Sequence, residues 1–180
     1  ENAESAVITV IWDYADVVIN SDTEMLFDAD ITYIGDLSFV EDGTIDRTIS
    51  LTNDASEHEA DEIENASALD WDIGISPDIP VDLTISGNIG MGNLDLSNLS
   101  LSALNITSEV SEFDITLPDT GASYVVNING GIGVTTLTLP EGDDLGIVFS
   151  GGNMLGTLEM PSRFVNAGGS EWRTQNYDVS

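Results

Sequence analysis

Apolar and polar residues alternate with a two-residue period along most of this chain, and that alternation predicts strands rather than helices. The clearest stretch runs from Val81 to Arg163, where four segments align: VDLTISGNIGMGNLDLSNL, LSALNITSEVSEFDITLPD, YVVNINGGIGVTTLTLPEG and LGIVFSGGNMLGTLEMPSR. Each reads as a strand, a polar or glycine-rich corner, a second strand and a closing turn. The closing positions Leu96, Leu117, Leu139 and Met160 are 21, 22 and 21 residues apart, and the last three precede Pro118, Pro140 and Pro161. A fixed period near 21 predicts a β-solenoid-like stack of short strands. Inward pairs such as Leu94 and Leu96, or Leu137 and Leu139, are buried only when one coil stacks on the next. Glycines at the corners (Gly87, Gly90, Gly92, Gly130, Gly131 and Gly133) permit tight bends, and proline after a strand ends its ladder.

The first half is less regular. Ala6 to Ile19 is a strongly β-prone stretch with a break at Asp13, followed by predicted strands over Ala29 to Val40 and Thr44 to Thr52. Trp71 to Ile75 resumes the pattern after a polar stretch. The expected organisation is one all-β domain over 1–180, with little or no helix. It comprises N-terminal strands over 1–52, an acidic loop over 53–68 and regular coils over 69–180.

Charge narrows the partners. The chain carries 33 acidic and 3 basic residues, a net charge of −30, and its cations are Arg47, Arg163 and Arg173. Nucleic acid is excluded, because phosphate recognition needs a basic footprint; adsorption to an anionic membrane is disfavoured for the same reason. Disorder does not follow, since Leu, Ile, Val and Phe make up 52 of 180 residues, well above the roughly 20% floor of unfolded chains. Cysteine is absent, which removes disulfides and thiolate chemistry. No apolar run approaches the ~18 residues of a membrane-spanning helix. A start at Glu1 rather than Met suggests a mature terminus left after signal-peptide removal, and hence an extracellular or cell-surface setting.

The run WDIGISPDIPVDLTISGNIGMGNLDLSNLSLSALNITSEVSEFDITLPD resembles the toast-rack domain of bacterial and archaeal envelope proteins, the LiaF-like or DUF2154/DUF4097 group. The matching features are Trp71, Pro77, Pro80, Leu83, the Gly87 to Gly92 corner and Leu94 to Leu99. GGIGVTTLTLPEG and the late GGSEWRTQNYD fit as well, and the part before Trp71 fits more loosely. The resemblance implies an all-β toast-rack stack, an envelope setting and no known catalytic residues. LiaF-like regulators place transmembrane helices before this domain, and none is present here. Family members also continue past the Trp172 to Tyr177 stretch, whereas this sequence stops at Ser180.

Chemistry is sparse. The single histidine, His58, sits in the acidic EHEAD stretch without a partner at ligand spacing, and no G-x-S-x-G elbow exists. The glycine-rich GGIG lacks the lysine and following helix of a phosphate loop. An enzyme is therefore not expected. Oxygen ligands suit Ca²⁺, and Glu141, Asp143 and Asp144 form the best metal candidate, with a solvated acidic surface as the rival reading. Asn65, Asn98 and Asn105 begin glycosylation sequons. The sharpest inference concerns the ends, because a stack exposes strand edges there. An N-terminal strand carrying Val7, Ile8, Val10, Ile11 and Trp12 is a candidate to complete a neighbour's last coil near Trp172 and Tyr177. The expected function is a non-enzymatic extracellular structural subunit, self-assembling head to tail into a homopolymeric filament or layer. The alternative is a regulatory or ligand-sensing envelope module of the LiaF-like type.

Overall fold

The structure, a computed structural model, describes residues 3–58, 69–119, 123–141, 146–148, 161–168 and 171–174. The fourth aligned segment, from Leu145, lies largely outside them. The chain forms two compact units, 1–140 and 141–180. Among the described residues there is no helix, and no helix long and apolar enough to cross a membrane.

The first unit holds β1 (Ser5–Asn20), β2 (Phe27–Ile31), β3 (Asp36–Asp42), β4 (Asp46–Asp54), β5 (Asp70–Ile75), β6 (Pro80–Asp95), β7 (Ser100–Thr116) and β8 (Val125–Thr138). Four of these are long, parallel and bent, in the order β1-β6-β7-β8. The register follows the repeat: Leu83 pairs with Leu104, 21 residues on, and Leu104 pairs with Val126, 22 residues on. Each repeat is thus a single bent strand rather than two strands joined by a polar corner.

At the bend the buried phase shifts by one residue. In β1 the buried positions are Ala6, Ile8, Val10 and Trp12, then Ala15, Val17 and Ile19. In β6 they pass from Val81, Leu83 and Ile85 to Gly92 and Leu94. The shift keeps both limbs facing one core. Asp13 holds the corner of β1: its Oδ2 accepts the Ala55 N–H at 2.8 Å, and its Oδ1 accepts the Asn88 amide at 2.6 Å. The bend is closed from inside by aromatic rings. Trp12 lies 6.3 Å from Trp71 and 6.4 Å from Phe113 between ring centroids, and all three are buried.

The other strands finish the stack at one end. β4 runs parallel to the first limb of β1, and β5 to its second limb. Antiparallel β3 and β2 then cover β4 and β5. Where one strand is predicted over Ala29 to Val40, the chain instead makes two. They are divided at Gly35, whose φ of +89° is cheap for glycine alone. β4 runs on through Asn53 and Asp54, and the Asn53 amide turns inward to donate to the Ile34 carbonyl at 2.8 Å. Between β7 and β8, the Tyr124 hydroxyl donates to the Pro118 carbonyl at 2.8 Å. Burial, and then the Asp119 carboxylate, push that hydroxyl up to about 12.

The second unit contains β9 (Gly146–Val148), β10 (Phe164–Gly168) and β11 (Glu171–Thr174), antiparallel in the order β10-β11-β9. Arg173 Nε donates to Glu171 at 2.6 Å, and the Arg163 guanidinium sits 5.2 Å above the Phe164 ring.

Candidate functional site

Alternation along a strand places every second side chain on the outer face of the sheet. Beyond the bend, that face is built from three rows set across the strands. The first row is Tyr14, Ile89, Val110 and Ile132, on β1, β6, β7 and β8. Two residues further on, Asp70, Asp16, Met91, Glu112 and Val134 line up across β5 to β8. The next row is Asp30, Asp72, Val18, Asn93 and Asp114. An exposed sheet face ordinarily carries polar residues, yet Ile132 is 76%, Val134 60% and Met91 55% exposed, with Val110 and Ile89 close behind.

Two depressions follow these rows. A groove of about 400 Å³ is lined by Ile89, Met91, Val110, Glu112, Ile132 and Val134. A second, of about 630 Å³, includes Asp16, Asp30, Asp70, Asp72, Glu112 and Asp114. They share Met91 and Glu112, so an apolar and an acidic surface adjoin. Asp16 Oδ1 accepts the Met91 N–H at 3.0 Å, and Asp72 accepts from the Asn20 amide at 3.0 Å. No arginine lines either groove. Among the described residues, no group of three or more His, Asp or Glu side chains is arranged to hold a metal ion.

The residues singled out from sequence fall elsewhere. Ile8, Val10 and Trp12 are buried in the chain's own core, Ile11 is half-buried and Val7 points outward. β1 has both edges paired along its length, to β4 and β5 on one side and β6 on the other. Within the single chain the N-terminal strand thus lies inside the sheet rather than at its end. Trp172 is a half-buried residue of β11, and Tyr177 lies outside the described residues. Glu141 is exposed, whereas Asp143, Asp144 and Asn65 fall outside the described residues. Asn98 is exposed in the turn after β6 and donates to Ser21 Oγ at 3.1 Å. Asn105 is committed within β7: it donates to Asp82 at 3.4 Å and accepts from Asn127 at 2.8 Å. Asp95 and Asp54 sit at strand ends, where hydrogen bonds from Ser97 and Ser56 lower their carboxyl pKa values.

The outer face was missed because Ile89 and Met91 keep step with buried Ile85 in the sequence. The corner at Gly90 shifts the phase, and a one-residue shift moves side chains to the opposite face. The signal lay in two apolar phases overlapping within NIGMGNL, with Ile89 and Met91 on one and Leu94 on the other.

The sequence profile of the N-terminal domain of toast_rack, DUF2154, matches residues 1–138. The chain belongs to the toast_rack family. That match ends at the last residue of β8 and takes in the less regular first half, so the toast_rack domain includes the β1–β5 end of the stack. Among curated proteins none matches the sequence. Among solved structures, the crystal structure of a "putative cell adhesion protein" from Clostridium sporogenes superposes with a TM-score of 0.78 at 19% identity. The alignment covers 99% of this chain and 85% of the clostridial one. At that identity the likeness speaks for the toast-rack fold.

Proposed function

We propose that this chain is a non-enzymatic recognition module of the cell envelope or surface, which holds a partner on the outer face of its bent sheet. The observation that carries this is the apolar row Ile89, Val110 and Ile132, exposed beside carboxylates where a free sheet face would be polar. The toast-rack resemblance, with its envelope setting, and the clostridial neighbour's description as an adhesion protein support it. The test is retention of bacterial cells or purified envelopes on the immobilised chain. The variant Ile89→Ser/Val110→Ser/Ile132→Ser is expected to lose most of that retention with an unchanged circular dichroism spectrum. Equal retention by the two proteins would refute the reading.

Self-assembly is a second reading, favoured by the composition of β8. Val125–Thr138 carries no charged residue, and among the described residues β8 pairs with β7 alone. The strands at the other end, β2 and β3, carry Asp28, Asp30, Asp36, Glu41 and Asp42. Such charges discourage edge pairing. A second copy would therefore join β8 to β8 and make a dimer rather than a head-to-tail filament. Sedimentation velocity in high salt, where repulsion between the acidic chains is screened, is expected to show a dimer. A single monomeric species across concentration and salt would eliminate this reading.

A further inference from the structure

We infer that the outer face binds a cationic amphipathic helix, laid across the strands at the bend; this rests on the recognition reading above. Two properties of the surface select that occupant. The first is charge. Asp16, Asp30, Asp70, Asp72, Glu112 and Asp114 line one groove, and no arginine lines it to neutralise them. Of these, Asp16 and Asp72 accept hydrogen bonds from neutral groups, and Asp30, Asp70, Glu112 and Asp114 have no ion-pair partner among the described residues. A second copy of a chain with a charge of −30 is a poor match for such a surface, and a basic segment a good one.

The second is spacing. Ile89, Val110 and Ile132 lie on adjacent strands, directly opposite one another in register. Adjacent strands are about 4.8 Å apart. An α-helix repeats its side chains every ~5.4 Å along its axis, so apolar residues at i, i+3/i+4 and i+7 fall at nearly the same interval. A helix lying along this row sets its apolar stripe on Ile89, Val110 and Ile132. Its next flank then faces the row two residues along each strand, about 7 Å away, where Asp16 and Glu112 sit, with Asp70 one strand beyond Asp16. Lysine or arginine on that flank meets the carboxylates. Met91, shared by the two grooves, supplies an adaptable apolar contact between them. With Tyr14 on β1 the row crosses four strands, or about 14 Å between the outer two, which corresponds to roughly ten helical residues. The mode is helix-in-groove recognition.

The probe is a fluorescently labelled 14-residue Leu/Lys peptide with leucine at i, i+3, i+4 and i+7, titrated with the full chain and read by anisotropy. A scrambled peptide of the same composition separates helix recognition from general attraction to a polyanion. Binding of the patterned peptide is expected to be at least tenfold tighter than that of the scrambled one. Val110→Ser/Ile132→Ser is expected to weaken it about tenfold and to leave the salt dependence unchanged. Asp70→Asn/Glu112→Gln is expected to weaken it to a similar extent and to flatten the salt dependence. Equal binding of the two peptides, absence of binding, or indifference to both double variants overturns the inference. Cell retention that depends on the apolar row, with no peptide binding, would leave the recognition reading standing and remove this ligand class.

Discussion

Trp12→Ala is expected to lower the stability of the first unit by about 3–5 kcal/mol, the range for emptying a large aromatic site in a packed core. Trp12 is 1% exposed and is the last buried residue before the buried phase of β1 shifts. Its ring meets Trp71 at 54° and Phe113 at 61°, the tilted and edge-on arrangements that aromatic pairs prefer. β6 has shaped itself to that ring: a Cβ built on Gly87 would lie 2.4 Å from the indole. Strands β1, β6 and β7 cannot close the space, because each is paired on both edges in the parallel ladder. The indole Nε1 is buried without a hydrogen-bond partner, so the loss is one of packing, and Trp12→Phe is expected to cost far less. Urea denaturation followed by tryptophan fluorescence provides the measurement. With a slope of about 2 kcal/mol/M, the midpoint should fall by roughly 1.5–2.5 M. A shift below about 0.3 M would mean that the bend does not depend on this ring.

Much of this bend is legible in the sequence. The alternation of Leu83, Ile85, Leu104 and Ile106 and the spacing of Leu96, Leu117 and Leu139 give parallel strands in the observed register, because side-chain alternation and coil length are local properties. Pairing partners are not local. Nothing in AVITVIWDYADVVI tells that β4, β5 and β6 will flank it, and its place at the start of the chain suggested a place at the end of the stack. The structure puts it in the middle, with the strands that follow it built outward on both sides. The continuous apolar character of β1 fits this place, since parallel strands buried within a sheet are rich in Val and Ile. The surface was hidden for a related reason. A strand read with a single phase assigns Ile89 to the core and gives no cause to look at Asp16, Asp70 and Glu112 together, since they come from three strands.

The charge of −30 also gains a location. Carboxylates spread evenly over a surface mainly confer solubility. Here two sets are distinguished by where they fall. Asp36, Glu41 and Asp42 decorate the short outer strand β3, where charge protects an edge. Asp16, Asp30, Asp70, Asp72, Glu112 and Asp114 gather instead in a concave region beside exposed apolar side chains. Solubility alone does not require that second grouping, and the apolar row beside it works against solubility.

Gly90→Ala and Gly130→Ala are expected to act with opposite sign, although both add one methyl group to a glycine near the bend. Gly90 has a φ of +145°, and a Cβ there would lie 1.8 Å from the Ala15 carbonyl oxygen of the neighbouring strand. Backbone in that region is strained for any residue with a side chain, by about 1–3 kcal/mol. The overlap adds to this, because the obstacle is backbone and cannot rotate away. A loss of roughly 3 kcal/mol or more is expected. At Gly130 the φ is ordinary, and the nearest atom to an added Cβ is Ser108 Oγ at 3.7 Å, a normal contact. Replacing that glycine restricts the unfolded chain and should be neutral or stabilising by up to about 1 kcal/mol. Gly133, two strands from Gly90 in the ladder, repeats the arrangement: its φ is +153° and its Cβ site lies 1.8 Å from the Ser111 carbonyl oxygen. The left-handed corner thus recurs on β6 and β8, beside Ile89 and Ile132, while β1 and β7 make the same shift of buried phase at Ala15 and Ser111 without a positive φ. Thermal unfolding of the two variants beside the parent is the test, and a Gly90→Ala melting temperature equal to that of Gly130→Ala would show that the bend tolerates a side chain. If Gly90→Ala remains folded but relaxes the corner, its affinity for the amphipathic peptide should fall with its stability, because the same phase shift that closes the core also exposes the apolar row.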